Sequence, residues 1–166
     1  MPQVKNAAFN NPIDAFIAAE HEKRQLHPMP PADKLVLLRR VYLDLIGLPP
    51  TQEEVQAFLA DNSRDAYEKV VDSLLARPQY GERWGRHWMD IWRYSDVYRS
   101  ADRSSRPHIW HWRDWIIESL NQDKGYDRFI QEMLAGDELA PSDPKILAGT
   151  GFLGRNYYLY NRDLWL

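Results

Sequence analysis

The stretch Tyr80-Gly-Glu-Arg-Trp-Gly-Arg-His-Trp-Met-Asp-Ile-Trp-Arg-Tyr94 decides how this chain is read. Wound as an α-helix at about 100° per residue, it places Trp84, Trp88, Ile91 and Trp92 on one face. Arg83, Arg86, His87, Asp90, Arg93 and Tyr94 fall on the opposite one. A core helix needs the first face. It does not need a second face made only of groups that bind anions, protons and aromatic partners. Six of the seven tryptophans lie between Trp84 and Trp115, so function is expected in this helix and the segment after it.

Outward from that helix the pattern stays helical. Asn11 caps a helix with Pro12 at its first position, running to about His27, with Ile13, Phe16 and Ile17 expected inward. Pro28, Pro30 and Pro31 form a link. A second helix, 32–46, places Leu35, Leu38, Tyr42 and Leu45 on one stripe, and Gly47 ends it before Pro49-Pro50. Thr51-Gln-Glu-Glu54 is a capping box opening a third helix. Ser63 opens a fourth, through Tyr67, Val70, Val71, Leu74 and Leu75, ended by Pro78. After the tryptophan helix, residues 95–106 are polar and lack apolar periodicity, so they read as a long loop. Pro107 starts a central helix carrying Trp112, Trp115, Ile116 and Leu120. Two shorter helices follow, 126–136 and 144–153, and the other glycines read as helix stops. The expected fold is all-α, a single compact domain of about seven helices. Its parts are a tail at 1–11, a helical domain at 12–156, and a segment at 157–166 that reads as continuing into a downstream region.

With 44% hydrophobic and 27% charged residues, the chain can bury a core and is globular rather than disordered. A net charge of −3 argues against a general nucleic-acid binder. Locally, however, residues 77–113 hold eight arginines, no lysine and four acids. Arginine favours bidentate or stacked partners over a merely solvated basic surface. There is no cysteine, which excludes a disulfide scaffold, a thiol nucleophile, a zinc-thiolate site and covalent haem attachment within this chain. No apolar run approaches the ~20 residues of a membrane span. Residues 1–11 lack the pattern of a signal peptide.

Several words stand in a familiar order: Arg39-Arg-Val-Tyr-Leu-Asp-Leu-Ile-Gly-Leu-Pro-Pro-Thr51, Tyr80-Gly-Glu-Arg-Trp-Gly-Arg-His-Trp88, Trp112-Arg-Asp-Trp-Ile-Ile117, Tyr126-Asp-Arg-Phe129, Leu134-Ala-Gly-Asp137 and Thr150-Gly-Phe-Leu153. Over about residues 12–160 the chain resembles the planctomycete-type, cytochrome-associated helical domain of unknown function. That resemblance implies a part of a large exported protein, beside a haem-c-type domain and other helical domains. Haem c would then belong to the full-length protein and not to this chain. The family's usual Arg-Tyr-Ala-Asp is here Arg93-Tyr-Ser-Asp96.

Each constellation has two readings. Arg86, Asp90 and Arg93 are spaced to form a salt-bridge lattice. The same guanidiniums could hold a carboxylate, sulfate, phosphate or haem propionate. His87 reads as a hydrogen-bonded structural histidine, or as a general base or axial haem ligand. His111, Asp114 and Glu118 have a spacing that can hold a metal on one helix face, but read better as a solvent-facing strip, so no metal is expected. Tryptophans at helical spacing read as core, with Trp110 the exception, an exposed aromatic beside the polar loop. The candidate ligand or partner face is therefore Arg83, Arg86, His87, Asp90, Arg93, Tyr94, Asp96, Trp110, His111 and Asp114. No nucleophile elbow, P-loop, dinucleotide fingerprint or zinc-protease motif is present. The expected function is an accessory domain of an exported redox assembly, meeting a haem-bearing neighbour or anionic ligand. The alternatives are a carbohydrate-binding or carbohydrate-active module using Trp110, Tyr98 and arginines, and a purely structural domain.

Overall fold

A computed structural model describes residues 11–97 and 108–154. Tyr98, most of the polar loop and the segment 157–166 lie outside them. The described residues are helical, in the order α1 (Pro12–Lys23), α2 (Lys34–Leu45), α3 (Gln52–Ala60), α4 (Ala66–Leu75), α5 (Pro78–Ile91), α6 (Trp110–Asn121), α7 (Tyr126–Leu139), α8 (Pro144–Gly149) and α9 (Gly151–Gly154). The chain divides into two compact units, Met1–Asp33 and Lys34–Leu166. Among the described residues no helix is long and apolar enough to cross a membrane.

In the first unit α1 begins as its sequence dictates. Asn11 Oδ1 accepts from the Asp14 backbone N–H at 2.9 Å, and Pro12 fills the first turn, where no N–H is needed. The expected inward residues are not inward. Ile13, Phe16 and Ile17 are exposed, and Ala15 and Ala18 are buried instead.

The second unit has two apolar clusters. Leu38, Val41, Tyr42 and Ile46 meet Phe58, Ala66 and Leu74 in one, joining α2, α3 and α4. Leu35, Tyr67 and Leu75, expected in that core, are exposed at its edges. The capping box forms as read: Thr51 N–H donates to Glu54 Oε2 at 2.7 Å, and Glu54 N–H to Thr51 Oγ1 at 3.3 Å. Glu54 uses its other oxygen to accept from Arg77 at 2.6 Å, tying α3 to the start of α5. The second cluster joins α5, α6 and α7 through Trp92, Trp112, Trp115, Ile116, Phe129 and Met133.

The apolar face of α5 differs from the tryptophan stripe. Trp84 is 37% exposed and Ile91 68% exposed. The buried line is Gly81, Gly85 and Trp92, with Trp88 half-buried between them, a face rotated by roughly 40°. The reason is proximity. A β-carbon at Gly81 would overlap the Ile117 carbonyl oxygen, and one at Gly85 would lie 3.2 Å from Ile117 Cγ1. These two glycines are not helix stops. They bring α5 against α6, and Asn121 closes the joint by accepting from Gly81 N–H at 2.8 Å and donating to the Pro78 carbonyl at 3.1 Å.

Three helices end on a non-glycine residue in the left-handed conformation. Gln25, Arg93 and Asp123 have φ of 57°, 56° and 49°. After each, the next N–H reaches back five residues, as Tyr94 does to the Met89 carbonyl at 2.9 Å. This is the Schellman closure with a side-chain-bearing residue in the left-handed position. It stops α5 at Ile91, earlier than the expected Tyr94.

Candidate functional site

The expected cluster is not gathered in one place. Arg83 leans the other way, onto the turn after α2. Its Cδ lies 2.9 Å from where a Gly47 β-carbon would be, so Gly47, at φ 73°, is needed there for both space and conformation. The Arg83 Nε is buried with no hydrogen-bond partner among the described residues. Arg86, His87 and Asp90 are exposed along the outer side of α5. His87 rests against Trp84 at 5.5 Å between ring centroids. Arg93, turned by its left-handed backbone, is also exposed. Among the described residues no ion pair links Arg86, Asp90 and Arg93. The salt-bridge lattice suggested by their spacing is not formed.

The same turn brings Tyr94 inward. Its ring lies 5.9 Å from that of Trp112, and its hydroxyl donates to Asp96 Oδ1 at 2.5 Å. Arg113 Nε and a terminal nitrogen both donate to Asp114 Oδ1, at 2.9 and 2.8 Å. Burial pushes the Tyr94 phenol up to about 12; its hydrogen bond to Asp96 and the charges of Asp96 and Asp114 add to this, and Arg113 opposes it. Tyr94, Asp96, Arg113 and Asp114 are thus one electrostatic group where α5 ends and α6 begins. Arg113 was not among the expected site residues. Its adjacency to Asp114 in sequence was the available signal.

Beside this group the first turn of α6 carries Trp110, 44% exposed, stacked on His111 at 3.6 Å between centroids. The His108 ring lies 6.1 Å from that of His111. A shallow cleft of about 410 Å³ runs from His108 and His111 past Trp112 to Leu147 and Thr150. The Nε1 of Trp112, one of the lining residues, is buried with no hydrogen-bond partner among the described residues. Among the described residues no group of three or more His, Asp or Glu side chains is gathered to hold a metal.

A further polar group was not among the expected site residues, although Arg128 and Glu132 stand four apart on one helix. Glu132 is 4% exposed and accepts from Lys124 Nζ at 2.6 Å, Arg128 Nε at 2.8 Å and Trp115 Nε1 at 3.3 Å. Burial raises its carboxyl, but the hydrogen bonds and charges of Lys124 and Arg128 outweigh burial and hold it below the ordinary glutamate range. Only the helical repeat of α7 against the loop from α6 brings these groups together.

A helical chain with an aromatic core and an arginine-bearing flank defines a class, not an activity. The chain matches the PSCyt2 family, described as a protein of unknown function (DUF1549), over residues 12–163, and it belongs to that family. No curated protein and no solved structure matches it.

Proposed function

We propose that the chain is an accessory helical domain of an exported, cytochrome-associated protein. Its Arg86, His87 and Arg93 flank docks a haem-bearing neighbour through carboxylates or propionates. The observation that carries this reading is that Arg86 and Arg93 are exposed and have no ion-pair partner among the described residues. Arg93 moreover holds a backbone conformation that costs about 1 kcal/mol for a residue with a β-carbon. Paired surface arginines would be occupied in holding the fold, whereas these are not so occupied by any described residue and suit a planar anion. The resemblance to cytochrome-associated domains supplies the partner class and the exported setting.

The test is titration of the chain with a small acidic c-type cytochrome at low and high salt. Association is expected at low salt, weakening as salt rises. The double variant R86E/R93E should lose at least about tenfold in affinity, or about 1.4 kcal/mol, with an unchanged melting temperature. No association at low salt, or equal association by the double variant, refutes the docking role. One observation favours a second reading. Trp110 stacked on His111 offers an exposed aromatic plane of the kind sugars bind. In that case W110A, and not R86E/R93E, would release the chain from a polysaccharide matrix.

A further inference from the structure

The aromatic side chains of the second core cluster form a continuous path. Tyr126, 60% exposed, lies 5.7 Å from Trp88 between ring centroids. Trp88 stacks on Trp92 at 5.0 Å, and Trp92 on Trp112 at 6.4 Å. Trp112 meets Tyr94 at 5.9 Å, and the Tyr94 hydroxyl is bonded to exposed Asp96. Trp92 and Trp112, in the middle, are 8% and 1% exposed. Both ends reach the surface and the centre is dry. Indole and phenol are the side chains most readily oxidised by one electron without a sulfur atom. The flanking rings are phenylalanines, Phe129 beside Trp92 and Phe152 beside Trp112, which are far harder to oxidise.

We propose that Tyr126, Trp88, Trp92, Trp112 and Tyr94 form a relay. It carries an oxidising equivalent from a high-potential, metal-centred one-electron oxidant at the Tyr126 end to the Tyr94–Asp96 pair. Three features give it direction. The buried Trp112 N–H has no acceptor among the described residues, so an oxidised Trp112 keeps its proton and stays strongly oxidising. Tyr94 has an acceptor in place. Trp115 meets Phe129, at 4.6 Å between ring centroids, and that hard-to-oxidise ring stands between it and Trp92, which keeps the hole off this side branch.

The oxidant takes one electron from the relay, and the last electron to leave comes from Tyr94. The Tyr94 O–H bond breaks, and its proton forms a new O–H bond on the Asp96 carboxylate. The product is a neutral tyrosyl radical hydrogen-bonded to a protonated Asp96. A phenolic reductant at the surface restores Tyr94 by giving back one electron, and the proton returns from Asp96. This relay does not depend on the docking role of Arg86 and Arg93.

The chain has no cysteine, so D127C gives a unique anchor for a ruthenium polypyridyl photo-oxidant beside residue 126. Y126F in the same chain puts the photo-oxidant in place of Tyr126, so the segment tested runs from Trp88 to Tyr94, the tyrosine left on the path. Flash oxidation with a sacrificial electron acceptor is followed by transient absorption and electron paramagnetic resonance. The expected result is a tyrosyl radical that vanishes in Y94F, where an indole radical persists instead. D96N should lower the tyrosyl yield, because an amide cannot take the proton. W92F should lower the yield while the circular dichroism spectrum is kept. An undiminished tyrosyl signal in Y94F overturns the relay, and so does a yield unaffected by D96N. If W92F does not fold, the two exposed-end variants still decide.

Discussion

The joint between α5 and α6 can be tested through two glycines that local propensity treats alike. By helix propensity, alanine at Gly81 or Gly85 should each stabilise by about 1 kcal/mol. The structure separates them. At Gly81 a β-carbon meets the Ile117 carbonyl oxygen, a backbone atom, and lies 2.7 Å from the Asn121 side chain. Overpacking of this kind costs about 1–3 kcal/mol. Displacing Asn121 also loses its two hydrogen bonds, to Gly81 N–H and the Pro78 carbonyl, at about 1 kcal/mol each. After the propensity gain, G81A should destabilise by about 2–4 kcal/mol, lowering the melting temperature by about 5–15 °C for a chain of this size. At Gly85 the nearest atom is Ile117 Cγ1 at 3.2 Å, part of a side chain that can shift. G85A should therefore fall within about 1 kcal/mol of the parent. Denaturant unfolding of both variants gives the comparison. If G81A is as stable as G85A, the close approach of the two helices, and the rotated face of α5 with it, is wrong.

Two more substitutions address buried charge and backbone strain. E132Q removes the acid shared by Lys124 and Arg128, and should cost about 3 kcal/mol at neutral pH. The Glu132 carboxyl is depressed in the folded chain. Its contribution is therefore full above the unfolded value near 4.3 and is lost as pH falls through the lower folded value. The gap between parent and E132Q in denaturant midpoint should then narrow below about pH 4, and a gap constant from pH 7 to 3 contradicts this account. R93G relieves the left-handed backbone after α5 and should stabilise by about 1 kcal/mol. A lower melting temperature in R93G would mean that the arginine side chain itself holds the turn.

The sequence by itself determined the helical class, the start of α1 at Asn11-Pro12, the capping box of α3 and the burial of Trp112. These are legible because they depend on neighbours within one or two turns, or on a residue too large and apolar to stay outside. The face of α5 was not legible, since a periodicity argument counts apolar side chains while this helix buries glycines against α6. Nor was the end of α5, because Arg93 occupies the left-handed position that usually announces itself as glycine. That single turn takes Arg93 off the helical phase of α5 and sends Tyr94 inward to Trp112. The Arg128–Glu132 and Tyr94–Asp96 contacts are local, but the burial of Glu132 against Trp115 and the meeting of Tyr94 with Trp112 and Arg113 were set by packing between helices. Burial has to be satisfied between helices distant in sequence, and only their packing says which polar groups are left facing one another.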